Sequence, residues 1–307
     1  MSVFCLAPRE DWICDRIAKE WCQDNTQNVS TSPEVADVIW LLAGWCWNQI
    51  PVSLLEQKKV VATIHHIVPD KFSQEKIRDF INRDRFVDVY HVPNVKTYDA
   101  IKNLTSKRIE VLPYWFDDKK WYPIVKTEAC NLLNLPERSF RLGSFQRDTE
   151  GSDGKSPKLE KGPDILCDFL EMHKERFGRE LEVILAGWRR EYVKNRLQRA
   201  GINFRLSEKV EIDMLRMLYA CLDLYVVSSR YEGGPQAILE AAAMKVPIIS
   251  TNVGIADTIL KKECIVDLPN SFYLPTQDDI EYAYEKVKNN RLSHLRSTYL
   301  QFFKDLI

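Results

Sequence analysis

Short runs of apolar, β-branched residues alternate with longer amphipathic stretches along most of this 307-residue chain. SVFCLA (2–7) precedes the helical pattern DWICDRIAKEWCQ, and VADVIWLLA (35–43) precedes PVSLLEQKK. KVVATIHHI (59–67) leads into SQEKIRDFINR, FVDVYHV (86–92) into VKTYDAIKNL, and RIEVLPYW (108–115) closes the series. Antiparallel neighbours need only tight turns, whereas parallel ones need crossovers of about a dozen residues, usually helical. The alternation therefore predicts a parallel sheet.

The pattern stops over residues 116–140, a charged stretch with Pro123, Pro136 and a short helical KTEACNLLNL. It then resumes with strands at FRLGSF (140–145), ELEVILAG (180–187), INFRL (202–206), DLYVVSS (223–229), VPIIST (246–251) and ECIVDL (263–268). Helical PDILCDFLEMHKERF, REYVKNRLQRAG, EIDMLRMLYAC and PQAILEAAAMK lie between them, and 278–307 reads as helical to the end. Two α/β series separated by a break predict two facing Rossmann-like domains with parallel sheets. The expected division is 1–137, 138–285, and a C-terminal helix, 286–307, crossing back to the first domain.

Composition excludes several classes. Forty-three basic residues nearly cancel forty-four acidic ones, leaving a net charge of −1, so no bulk field favours nucleic acid or anionic lipid. The most apolar stretch, 38–47, is half the roughly 20 residues of a membrane span. The N-terminal MSVFCLAPRED reaches charge too early for a signal peptide. Eight scattered cysteines without a Cys-x-x-Cys pair fit neither a disulfide framework nor a zinc site; reduced thiols in a cytoplasmic protein are expected.

In open parallel sheets ligands bind where strands end and loops enter helices. The most informative junction is SSRYEGGPQAILEAAAMKVPIIST (228–251). Gly233 and Gly234 allow close backbone approach, and Pro235 suits the first helical turn, so the helix mouth forms an anion site. Glu232 sits in the loop, and Glu240 follows after seven intervening residues in an otherwise apolar helix. A carboxylate in such a setting needs a hydrogen-bond partner. Two carboxylates beside a phosphate site suit a ligand rich in hydroxyls.

This stretch resembles the signature of retaining GT-B glycosyltransferases of glycosyltransferase family 4, and the resemblance is strongest over 142–260. It implies that Glu232 contacts the donor sugar and Glu240 holds the ribose hydroxyls. It also implies that Lys161, in Lys161-Gly162, binds the donor diphosphate. The family's loop arginine after Gly143 is replaced by Ser144, so Arg147 is the nearest substitute and Lys158 a weaker candidate. Gly187, in LAGWRR, matches a strand-end glycine bordering the nucleotide, while Arg189 and Arg190 read as surface charges at a helix start. Gly254 is kept from a Gly-Gly-x-x-Glu loop, with Ile255 in place of the second glycine and Asp257 the nearest acid.

In the first domain, VVATIHHI resembles a strand ending in Thr-x-His, which places His65 near the sugar's reacting centre, with His66 beside it. The family's glycine-rich first loop is absent; Arg9, Glu10 and Trp12 stand there instead and would face the cleft. Trp45 and Trp47 could stack on an acceptor sugar, touch a lipid carrier or fill a core.

No Asp-x-Asp occurs, in agreement with metal-free chemistry. The expected activity is transfer of a sugar from a nucleotide sugar to an acceptor hydroxyl with retention, without metal or cofactor. The acceptor class stays open between glycan, lipid-linked and small-molecule hydroxyls, and peripheral membrane association is compatible. Two alternatives stay open as well: a GT-B-like nucleotide-sugar epimerase, and a non-catalytic sugar-nucleotide-binding scaffold subunit.

Overall fold

The computed structural model describes residues 1–10, 13–136, 139–178 and 181–307. The chain divides into two units, Met1–Trp115 with Leu292–Ile307, and Phe116–Arg291. Residues 116–136, grouped with the first domain on sequence, thus belong to the second unit. The reason is burial: Trp121 is 2% exposed and meets Tyr219 edge-on at 5.7 Å.

In the first unit β1 (Val3–Leu6), β2 (Val38–Leu41), β3 (Lys59–Thr63), β4 (Val89–Val92) and β5 (Arg108–Val111) form a parallel sheet in chain order. Sequence missed a rudimentary sixth member. Val29 pairs in parallel with Val3 on the outer side of β1, through Val3 N–H to Asn28 O at 2.7 Å and Ser30 N–H to Val3 O at 2.9 Å. From β1 the chain therefore goes out to Val29 and returns as β2 on the other side, a topological switch point.

Side chains alternate across the strands, and the two faces take different helices. Leu55, Phe80 and Ile101, from α2 (Val52–Gln57), α3 (Gln74–Asp84) and α4 (Val95–Ile101), pack on Ile39, Leu41, Val60, Ala62 and Tyr90. On the opposite face Trp21 of α1 (Ile13–Asp24) meets Trp40 at 5.8 Å and Phe303 at 5.5 Å. Phe303 belongs to the C-terminal helix, Leu292–Lys304, which is part of the first unit. That helix starts later than the expected residue 286, because a 3₁₀ turn at Lys288–Asn290 interrupts the helical run.

His91 sits inside this aromatic layer with 0% exposure. Its Nε2–H donates to Leu112 O at 2.9 Å, so Nδ1 accepts from the Thr63 hydroxyl, also at 2.9 Å. Burial pushes its pKa down to about 4, against the Leu112 bond that raises it. The unfolded chain binds this proton below about pH 6.5 and the folded chain does not, so stability falls with pH between those limits. Urea titrations should show native protein losing about 2 kcal/mol more than His91→Asn between pH 7.5 and 5. Equal losses would mean that His91 titrates normally in the fold.

The second unit contains β6 (Phe140–Phe145), a β7–β8 hairpin (Thr149–Glu150, Ser156–Pro157), β9 (Leu181–Ala186), β10 (Asn203–Ser207), β11 (Leu224–Val227) and β12 (Ile248–Ser250). Its helices are α5 (Lys126–Leu132), α6 (Pro163–Phe177), α7 (Glu191–Ala200), α8 (Ile212–Ala220), α9 (Gln236–Ala243), α10 (Ala256–Ile259) and α11 (Gln277–Val287). The parallel order β10-β9-β6-β11-β12 reverses between β6 and β11. The strand expected at 263–268 reduces to one bridge between Ser250 and Ile265. A 3₁₀ turn at Lys262–Cys264 occupies the amides of Cys264 and Ile265, leaving Val266 N–H for Ser250 O at 2.9 Å. Among the described residues no helix is long and apolar enough to cross a membrane.

Candidate functional site

The reversal between β6 and β11 brings two loops together, 146–162 and 228–235. Gly162 has φ 58°, and a Cβ there would lie 1.9 Å from Ser228 O, so only glycine permits this approach. Glu160 O accepts the amides of Arg230 and Tyr231 at 2.9 and 3.1 Å. The Arg230 guanidinium forks onto Asp164 at 2.7 and 2.6 Å. This latch sets Lys161 Nζ 2.5 Å from Glu232 Oε1, with the Ser229 hydroxyl donating to the same oxygen at 3.1 Å. The two side chains are 13% and 12% exposed.

Glu232 leads into Gly233, Gly234 and Pro235, where α9 begins. Gly254, at φ 50°, packs against this turn; a Cβ there would come within 2.7 Å of Gly233 O and Pro235 Cδ. In the second turn of α9, Glu240 is 4% exposed. The partner its carboxylate requires is Tyr219 of α8, whose hydroxyl donates to Oε2 at 2.9 Å. Asp257 is exposed in the first turn of α10.

The remaining basic candidates separate. Arg147 lies over the Trp188 ring at 5.3 Å and donates to Thr149 O at 3.0 Å, which ties it to the end of β9 beside Gly187. Lys158 pairs with Glu160 at 3.7 Å. Arg190 is not a surface charge: it is 0% exposed, 2.7 Å from Asp148, and donates to the carbonyls of Ser144, Gln146 and Ala186 at 2.7, 2.6 and 3.1 Å. The two N–H groups of Nη1 are shared among these three carbonyls, while Nε donates to Asp148. Arg189 is half-buried and donates to Gly151 O at 3.1 Å.

In the first unit, His65 follows β3. Its Nε2–H faces Leu42 O at 2.9 Å and Cys14 Sγ at 3.5 Å, and its Nδ1 accepts from the Tyr114 hydroxyl. The Thr97 hydroxyl donates to its backbone carbonyl at 3.1 Å. His66 is half-buried next to it. Trp45 is 50% exposed with its ring 5.8 Å from His65, whereas Trp47 turns away, donating to Asp79 at 2.8 Å and stacking on Phe86. Both tryptophans lie on a 3₁₀ turn, Gly44–Gln49, rather than at the end of a longer strand. Arg9 and Glu10 are exposed, their amides bound by Asp15 at 2.8 Å; Trp12 lies outside the described residues.

Arg230, Asp164, Ser229 and Tyr219 escaped the sequence reading. Arg230 follows Ser229 directly in the signature loop and was within reach of it; Tyr219 acquires its role only when α8 and α9 pack.

A nucleotide-fold sheet whose switch-point loops carry paired lysine and glutamate defines a two-unit α/β protein of GT-B type, and the comparisons agree. HepE of Anabaena, solved with UDP-glucose, matches with a TM-score of 0.77 over 99% of both chains at 16% identity. Sucrose-phosphate synthase of Thermosynechococcus elongatus matches at 0.68 over 98% of this chain and 80% of its own, at 15% identity. Residues 154–287 match the family model for glycosyl transferases group 1. The glycogen synthase of Thermosipho melanesiensis is 28% identical over 194 residues, 60% of this chain and 37% of its own length. The alpha-galactosylglucosyldiacylglycerol synthase of Streptococcus pneumoniae is 26% identical over 164 residues, 52% of this chain and 41% of its own. The chain thus spans about two fifths of the length of these two relatives.

Proposed function

We propose that this chain transfers a sugar from a nucleoside diphosphate sugar to an acceptor hydroxyl, in the manner of family 4, with retention and without a metal ion. The observation that carries the reading is the pairing of Lys161 with Glu232 at the switch point, above the helix that buries Glu240. Bond cleavage builds charge on the leaving diphosphate. A fixed ammonium at Lys161 and the amides at the mouth of α9 stabilise that charge. Glu232 accepts from sugar hydroxyls and Glu240 from those of the ribose. The acceptor hydroxyl attacks the face from which the diphosphate departs, and a phosphate oxygen takes its proton. His65 orients groups near the reacting centre, and half-exposed Trp45 offers a face to a sugar ring of the acceptor.

UDP-linked donors come first in the test, since HepE was solved with UDP-glucose. A thermal-shift panel of UDP-, GDP- and ADP-sugars should reveal one donor class, with about 2.7 kcal/mol of stabilisation at ~100 times Kd. Incubation of that donor with carbohydrate acceptors should then release nucleotide. No shift with any donor would end the reading. The engagement of Arg147 with Trp188 favours one rival, a sugar-nucleotide-binding subunit without turnover. Binding with no nucleotide release across a broad acceptor panel would select it.

A further inference from the structure

Beneath the β6–β11 crevice two tyrosines are buried that the transfer chemistry does not use. Tyr225, 2% exposed, accepts the amide of Phe145, the last residue of β6, at 3.0 Å. Its hydroxyl donates to Phe145 O at 3.4 Å, and its ring centroid is 5.2 Å from that of Tyr219. Tyr219, 0% exposed, passes its own proton to Glu240 Oε2 at 2.9 Å. Tyr225 is thus tied to the strand that enters the Lys161 loop, and Tyr219 to the carboxylate in α9. Burial, and then the Glu240 charge, raise the Tyr219 pKa well above its ordinary value, so its hydroxyl remains a donor.

A carboxylate on a two-torsion stem reads a pair of neighbouring hydroxyls only if its rotation is stopped. In an apolar helix, solvent cannot stop it; a hydroxyl from an adjacent helix can. We propose that Tyr219 is a positioning residue, pinning one oxygen of Glu240 so that the carboxylate distinguishes a ribose from a deoxyribose in the donor. The proposal rests on the reading that Glu240 takes the ribose hydroxyls.

The test measures Kd by calorimetry for UDP, GDP and ADP, each against its 2′-deoxy counterpart, and uses the pair whose ribose member binds tightest. Native protein should prefer the ribose form by about 10- to 100-fold, the range for one hydroxyl bonded to a charged group. Tyr219→Phe should lower that ratio several-fold while the affinity for the deoxy form stays near native. A purely structural tyrosine would weaken both forms alike and leave the ratio intact, which overturns the proposal. Glu240→Ala separates the two levels. If it keeps the native ratio, Glu240 does not read the ribose and the reading beneath the proposal fails. If it abolishes the ratio while Tyr219→Phe preserves it, only the positioning role fails. Should Tyr219→Phe not fold, Tyr219→Met takes its place: a lowered ratio supports the positioning role and a native ratio overturns it.

Discussion

Replacing Lys161 with alanine is expected to slow sugar transfer by about 10²- to 10³-fold, the usual cost of removing one preorganised donor from a site of developing negative charge. Lys161 is 13% exposed and its Nζ is 2.5 Å from Glu232. It is already desolvated and directed by a partner, so little reorganisation is needed when a diphosphate gathers charge beside it. The variant also leaves Glu232, 12% exposed, without its cation, and some stability will be lost with the rate. Lys161→Arg separates these effects. It restores a charge for Glu232 but moves the donors, so stability should recover further than turnover. Nucleotide release followed at saturating donor, with thermal unfolding of both variants, reads the two quantities. A native turnover number in a folded Lys161→Ala would remove this lysine from the diphosphate site.

Arg190→Ala should cost the second unit about 3–5 kcal/mol, the range for breaking a fully buried ion pair by deleting one partner. Both side chains are 0% exposed. The change strands the Asp148 carboxylate and withdraws donors from the Ser144, Gln146 and Ala186 carbonyls. The loss should depend on pH. Burial raises the Asp148 pKa to about 6 even while the Arg190 charge pulls it down. Without that charge the folded state holds its proton to still higher pH, whereas the unfolded chain releases it near pH 4. Stability of the variant therefore falls as pH rises between those values, and the deficit against native protein should be larger at pH 8 than at pH 5. Denaturant titrations at the two values check this. A deficit below about 1 kcal/mol at both would mean that water already satisfies these groups.

Most of the fold was legible because strand and helix periodicities are local. PDILCDFLEMHKERF is α6 and FRLGSF is β6 to the residue. The errors fall where a long-range contact overrides local pattern. Val29 is held as a strand by a single pairing with Val3, which no run of neighbouring residues announces. The segment 116–136 looked like the tail of the first domain until Trp121 was found buried against Tyr219. The polar loop after β6 forms a short hairpin whose first strand is tied to the end of β9, the Thr149 amide and hydroxyl both donating to Arg189 O.

The site divides the same way. The turn Glu232-Gly233-Gly234-Pro235 and the place of Glu240 in α9 were legible because they depend on spacing along one loop and one helix. Lys161 was readable from its own motif, but its contact with Glu232, 71 positions away, was not. Arg190 shows the limit most plainly: on sequence, an arginine at a helix start is a surface charge. Only the convergence of the β6 and β9 ends, with Asp148 among their carbonyls, makes it a buried one. What the amino-acid order determined by itself was the succession of elements and the glycine-proline turn that opens α9, since both follow from residues close in the chain. Which cation meets which carboxylate, and which tyrosine holds Glu240, was decided by packing, because hydrogen bonds act over about 3 Å and only the folded sheet brings distant residues that near.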